Sequence, residues 1–352
     1  MTHPLRLALA MLLAAMAALA LSPGAYASGT ISLGYYTGDE RSFEAVEAFA
    51  DYLTIVSADV YAVEFDGTIT GGDDFGVGAF CKAHGIEVYA CVSNYRSDAD
   101  VEGFDAALGH AAIVSHRDAV IARLVALAAS GGYNGINIDF ENLAYSSDIE
   151  DDRAAFTAFI HELAARLHAL GLKLAISVPG KVGDSIDDDW SYPFDLNALG
   201  QDADLLQLMT YDQHGPWSEP GPVSGADRVK ACVAYAVSVV DPAKLLIGLP
   251  AYGYDWDLTA SDPASWTYSA TSFPWTDVSD LLAKPGAIER WDAGSESPHA
   301  TYIERGHWHE AWFEDAASLR AKTTLITEYH LAGFSVWSIG QEDASFWSAI
   351  VR

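Results

Sequence analysis

The sequence predicts an α/β protein: a (β/α)8 TIM barrel with a small α+β insertion between strands 7 and 8. Three observations lead there. Eight strand-like runs alternate with helical ones, and crossovers of that length make a parallel sheet. Eight strands suit a closed barrel, and no Gly-rich phosphate turn follows the first strand to favour an open doubly wound sheet. The connection after the seventh strand, rich in Trp, Ser, Pro and Asp, is far longer than a barrel loop.

The elements run in order along the chain. Ile31–Tyr36 reads as the first strand, followed by a helix near Ser42–Phe49. Leu53–Ser57 and a helix near Phe75–His84 come next, then Glu87–Ser93 and a helix around His116–Ala129. Gly135–Phe140 precedes a helix over Asp151–Leu170, and Lys173–Pro179 precedes a short helical stretch near Leu196–Leu199. Leu205–Tyr211 is followed by a helix near Asp227–Val239, and Leu245–Tyr252 by the long connection. A helix near Ala316–Tyr329 and a strand over Phe334–Ser338 complete the barrel.

Composition narrows the function. Of 352 residues, 50% are hydrophobic and 12% aromatic, which excludes disorder despite a net charge of −30 from 19 basic and 49 acidic residues. With no basic stripe, counterion release cannot drive nucleic-acid binding. The three cysteines, Cys81, Cys91 and Cys232, are too few for a disulfide scaffold. Cys81 and Cys91 are spaced to bridge a helix and the following strand, with buried free thiols as the plainer reading.

At the N-terminus Arg6 precedes an apolar run from Leu7 to Leu21. Ser22-Pro23-Gly24 breaks the run, and Ala25-Tyr26-Ala27 offers a small-x-small cleavage site. Residues 1–27 are therefore read as a signal peptide, and residues 28–352 as one domain with its insertion at about 254–312. The apolar run is short of the ~20 residues a membrane span needs. A secreted, extracellular monomer without a membrane anchor is expected.

The chemistry centres on Asn134-Gly135-Ile136-Asn137-Ile138-Asp139-Phe140-Glu141. Its period is two, so Asn137, Asp139 and Glu141 share one strand face while Ile136, Ile138 and Phe140 take the other. The apolar face must meet the helices, which sends the polar row into the barrel. Burying carboxylates there without partners costs several kcal/mol each, so a purely structural hydrogen-bond network is a poorer explanation than a chemical role. Two such neighbours titrate apart, one ionised and one holding a proton near neutral pH. Glu141, nearer the mouth, is the expected general acid and Asp139 its charge partner. Both approach from one side, unlike carboxylates set across a scissile bond to form a covalent intermediate. An acetamido group on the sugar would supply the missing nucleophile.

Asn134 to Glu141 resembles the D-G-x-D-x-D-x-E signature of glycoside hydrolase family 18, the chitinases and their relatives. Gln207-Leu208-Met209-Thr210-Tyr211-Asp212, Leu246 to Trp256, and Gly333-Phe334-Ser335-Val336-Trp337 are similar to its sixth, seventh and eighth strands. Asn137 to Asn142, Tyr211-Asp212-x-His214 and Trp312-Phe313-Glu314-Asp315 resemble its bacterial spore-cortex and germination branch. The resemblance implies a (β/α) barrel and retention assisted by the substrate. It implies Glu141 as proton donor, Asp139 as the carboxylate orienting the acetamido group, and Tyr211 as its hydrogen-bond donor. It also implies substrate contacts from Asn137, Gln207, Met209, Asp212, Tyr35 and Trp337, the last flooring a subsite by stacking. Asn134 and Asn137 stand where the longer signature has Asp, so the inner row has one carboxylate fewer than in many chitinases.

No cofactor and no metal are expected, because His214 lacks a second ligand at convincing spacing and His307-Trp308-His309 lies far off in sequence. Trp190, Tyr192, Trp217, Trp256 and Trp275 fall in loops after strands, where sugar-binding aromatics are wanted, and singly each reads equally as packing in the core or the insertion. Asp187-Asp188-Asp189 reads as a solvated loop. The partner implied is an N-acetylglucosamine-containing polysaccharide. The rival reading is a non-catalytic glycan-binding relative, which the retained Glu141 argues against.

Overall fold

The computed structural model describes residues 29–98, 101–265 and 267–350. The expected signal peptide lies outside the described residues. Eight parallel strands form the barrel: β1 (Ile31–Tyr36), β2 (Ile55–Val63), β3 (Glu87–Ser93), β4 (Gly135–Asp139), β5 (Lys173–Pro179), β6 (Leu205–Met209), β7 (Leu245–Pro250) and β8 (Gly333–Trp337). They pair in chain order, and β8 also pairs with β1, with Gly333 beside Ile31 on one side and Leu246 on the other. The sheet is thereby closed. A short strand, Ile69–Gly71, hangs antiparallel on the end of β2.

The alternation of side chains along each strand builds two cores. Val56, Ala58, Val88, Ala90, Ile136, Ile138, Leu206 and Phe334 face outward and pack against the surrounding helices. A smaller cluster of Leu33, Tyr35, Ile55, Tyr89, Cys91, Ala175, Leu205 and Leu246 fills the lower barrel. Each fully buried aliphatic side chain contributes about 1.5–3 kcal/mol, so the outer shell dominates stability. Acidic caps begin several helices: Asp39 accepts from Ser42 N–H at 2.8 Å, and Asp315 forms a capping box with Ser318.

All three cysteines are free and buried. Cys81 packs in the outer core and Cys91 in the inner one, on opposite faces of β3, so no bridge joins them. β6 and β7 end earlier than their apolar patterns suggest, at Met209 and Pro250 rather than Tyr211 and Tyr252. Thr210 Oγ1 donates to the Gly248 carbonyl at 2.8 Å and accepts the Gly248 N–H at 3.0 Å, replacing the ladder. Tyr252 opens a different sheet.

That sheet is antiparallel and has five strands: Tyr252–Asp257, Ala270–Pro274, Ile288–Asp292, Ser297–Glu304 and His307–Trp312. Its far face covers Leu281 of the short helix Val278–Leu282 with Ala300, Tyr302, Ala311 and Phe313. Pattern reading passed over the ribbon of Tyr95–Ser97 with Glu102–Phe104, the helix Ala106–His110 and the C-terminal helix Ala344–Ile350. These are too short for periodicity to register.

Candidate active site

Asn137 and Asp139 occupy the inner face of β4 because Ile136 and Ile138 are drawn outward into the helix-facing core. The chain leaves the ladder after Asp139, and Phe140 still anchors outward. Asn94, just past β3, fixes the residue beyond it. Its Oδ1 accepts the Glu141 N–H and its Nδ2 donates to the Glu141 carbonyl, both at 2.8 Å, while Nδ2 also donates to the Asp105 carbonyl at 3.0 Å. The Glu141 backbone is thus held on both sides by one buried amide.

On the opposite wall Tyr211 and Asp212 follow Thr210, with Asp212 at φ 55°, a left-handed conformation that turns the chain. Gly248 makes room for them. A Cβ there would lie 2.6 Å from the Tyr211 ring and 2.9 Å from Gln207 Nε2. Asp212 Oδ1 accepts from Tyr252 at 2.5 Å and Tyr254 at 3.2 Å, so the first strand of the insertion sheet steadies the barrel site. Trp337 ends β8 and meets Tyr35 edge to face at 5.2 Å.

These groups surround one cavity of about 540 Å³, a fitting size for a small-ligand cleft. Asp139, Glu141, Asp212, Tyr211, Tyr35, Met209 and Trp337 line it, joined by Trp190 and Trp217 from the loops after β5 and β6 and by Phe104. The loop bearing Trp190 is braced by buried Lys181, which donates to Asp184 at 2.6 Å and the Phe194 carbonyl at 2.7 Å.

Two expected contacts lie one layer deeper. Asn137 is fully buried and donates to Tyr35 Oη at 3.0 Å and Ser57 Oγ at 2.9 Å. Gln207 donates to Ser335 Oγ at 2.8 Å and Tyr211 Oη at 3.4 Å. The period of two places both on the inner face, but height along the barrel axis puts them beneath the cavity floor, where they hold the residues that line it. Of the loop aromatics, Tyr192 stacks under the Arg153 guanidinium, Trp256 is buried in the insertion sheet, and Trp275 packs on Phe346. His214 sits near Ser218 and the Glu219 carbonyl, while His307 and His309 pair with Asp257 and Asp255.

Electrostatics separate the carboxyls by role. Burial, then the charges of Asp139, Asp212 and Asp59, hold the Glu141 carboxyl well above its ordinary range, which favours its protonated form. Among the described residues none hydrogen-bonds that carboxyl, leaving it free for a ligand. Asp139 is raised by burial and pulled back by a hydrogen bond with Ser177. Burial and the surrounding acids push the Tyr211 hydroxyl far up, so it remains a neutral donor.

Sequence reasoning missed Asp59, Asn94 and Phe104. Asp59, on β2, brings a carboxylate oxygen close to Cys91 Sγ and Asp139, all three ligand atoms within 4.8 Å of one another. Burial, then the charges of Asp59 and Asp139, drives the Cys91 thiol well up, so it sits beside the two carboxyls as a neutral group.

A closed barrel whose mouth presents a buried acid biased toward its protonated form beside a second carboxyl, walled by aromatic rings, is the architecture of a glycoside hydrolase. The profile of Glycosyl hydrolases family 18 matches residues 34–342, and the chain belongs to that family. It is 34% identical over 324 residues to the Uncharacterized glycosylase YvbX of Bacillus subtilis (strain 168), covering 91% of this chain and 90% of that one. Among solved structures, the chitinase from Chromobacterium violaceum ATCC 12472 superposes with a TM-score of 0.82 at 36% identity, covering 91% of this chain and 98% of that one. The spore cortex-lytic enzyme SleL of Bacillus megaterium QM B1551 superposes at 0.81 with 25% identity, covering 91% of this chain and 73% of that one.

Proposed function

We propose that this glycoside hydrolase is secreted and cleaves β-linked N-acetylglucosamine polymers with retention, using the substrate's own acetamido group as nucleophile. The observation that carries the reading is the Glu141 carboxyl: buried, biased toward its protonated form, unpartnered and open to the cavity beside Asp139 and Tyr211. Glu141 protonates the leaving oxygen. The 2-acetamido oxygen attacks from the opposite face, its N–H directed to Asp139 and its carbonyl held by Tyr211. Holding the group in place makes the attack intramolecular, an advantage reaching roughly 7–11 kcal/mol in well-oriented systems. Water then enters on the vacated face as Glu141 takes back a proton.

The cavity's chemistry favours a neutral polymer. Three carboxyls line it and, among the described lining residues, no Lys, Arg or His does. The free peptide carboxylates of peptidoglycan would meet like charge, whereas chitin offers only uncharged sugars to the rings of Trp190, Trp217 and Trp337. Export rests on the apolar leader ending at Ala27.

Proton NMR in the first minutes of hydrolysis of a chitin oligomer tests the mechanism. The new reducing end is expected as the β anomer, a thiazoline analogue is expected to compete, and a free amine at the cleaved sugar is expected to confer resistance. An initial α product, or equal cleavage of acetylated and deacetylated sugars, refutes it. Mass spectrometry of products from chitin oligomers, peptidoglycan and a high-mannose glycan side by side identifies the polymer.

A further inference from the structure

Asn137 leaves a gap in the row of carboxylates along β4, and a carboxylate from another strand reaches the same neighbourhood. Along β2 the inward positions are Ile55, Ser57 and Asp59, and Asp59 stands beside Cys91, which stands beside Asn137. The β2–β3 register shifts between Asp59 and Tyr61, so the bulge falls directly after the aspartate. Bulges re-aim side chains next to active sites. The Asp59 carboxylate thereby arrives within 4.8 Å of the Asp139 carboxylate, with the Cys91 thiol completing the triangle.

The two aspartates open to different spaces. Asp139 is 4% exposed and borders the catalytic cavity. Asp59 is only partly buried and borders a second cavity of about 600 Å³, with Tyr61, Ser93, Tyr95 and Arg96 on its walls. The groups acting on Asp59 are Asp139 from β4 and Cys91 from β3. Arg96, across the second cavity, is engaged by Asp98 and Asp105. Two carboxylates this close, with no Lys, Arg or His among the groups acting on Asp59, repel each other's ionisation, which favours one shared proton.

Resting on the substrate-assisted reaction proposed for this site, we infer that Asp59 is a positioning residue: it shares a single proton with Asp139 and exchanges that proton with solvent through the second cavity. When Asp139 presents an ionised oxygen to the acetamido N–H, the proton rests on Asp59. When the product leaves, the proton is shared again. The pair holds one proton throughout, and the proton that reaches the leaving oxygen comes from Glu141 and is restored by the attacking water. The direction of the pKa perturbations agrees, since Asp59 is raised by burial first and by Asp139 second, and Asp59 in turn raises Glu141.

The test uses the whole enzyme with carbon-13-labelled carboxyls, compared with Asp59→Asn and with the double variant Asp59→Asn, Asn137→Asp. In the wild type, Asp59 and Asp139 are expected to titrate in two linked steps. In Asp59→Asn, Asp139 is expected to titrate in a single step about 1–3 units lower, the range a close charge commands. The basic limb of kcat against pH on chitin oligomers is expected to move to lower pH with KM little changed, and the double variant is expected to restore it. An unchanged Asp139 titration in Asp59→Asn, or wild-type aspartates that titrate independently, overturns the inference whatever the enzyme cleaves. Linked titration in an enzyme indifferent to the acetamido group would instead sustain the pair and defeat the proposed mechanism.

Discussion

Replacing Asn94 by alanine removes the clamp on the general acid without touching its carboxyl. Three hydrogen bonds disappear, two at 2.8 Å to the Glu141 backbone and one at 3.0 Å to the Asp105 carbonyl. Each is worth about 1 kcal/mol net, and the buried Glu141 N–H left unpaired adds a desolvation cost of about 1–3 kcal/mol, giving a loss of roughly 4–6 kcal/mol. Domains carry about 5–15 kcal/mol in total, so the variant should fold with a clearly depressed melting temperature. The larger consequence is geometric. With Glu141 free to drift by about 1 Å, turnover should fall on the order of 100-fold while affinity for the substrate changes little. Calorimetry for stability and initial rates on a chitin oligomer, measured well below the melting transition, separate the two effects. Near wild-type kcat in a destabilised Asn94→Ala enzyme would show that the clamp serves only the fold and that other contacts set the acid.

Glu141→Gln keeps the shape but cannot deliver a proton, so turnover should drop by about 10²–10⁴-fold with an unchanged circular dichroism spectrum; more than a tenth of wild-type rate from the folded variant refutes the assignment. Trp337→Ala should weaken oligosaccharide binding by removing a stacking surface worth about 0.5–1.5 kcal/mol, read by calorimetric titration, whereas a large stability loss with unchanged affinity marks a packing role. Folding stability should be pH-dependent in a set direction. Asp139 and Asp59 are raised from 3.8 to about 6 and about 7, so their contribution is full below about pH 4 and is lost as pH rises through those values. At Asp184 burial is outweighed by the hydrogen bonds from Arg153 and Lys181, which hold it below its usual range, so its contribution acts oppositely and is lost on the acid side. Denaturant midpoints from pH 4 to 9 should therefore decline between about pH 4 and 7 and level off above, and Asp59→Asn should flatten that decline.

The division between chain and fold is visible in single residues. The alternation from Ile136 to Glu141 already says that Asp139 and Glu141 share a face turned away from the helices, because a strand's period is fixed by backbone geometry and the aliphatic side must be buried. Eight apolar runs joined by helical crossovers likewise specify the barrel, and strand ends shift by only a residue or two in most cases. A period of two gives the face of a residue and not its height, and height is what the stagger between neighbouring strands decides. That is why Asn137 and Gln207 share the inner face with Asp139 yet lie beneath the cavity. It is also why Asp59, eighty residues before Asp139 in sequence, came to light only through the pairing of β2 with β3 and the bulge just past it. The same holds for Asn94, just past β3, and Phe104, in a ribbon strand of three residues, neither in a segment long enough to carry a periodicity. Local alternation follows from the covalent chain alone, whereas the meeting of carboxylates from different strands depends on registers that form when the whole sheet closes.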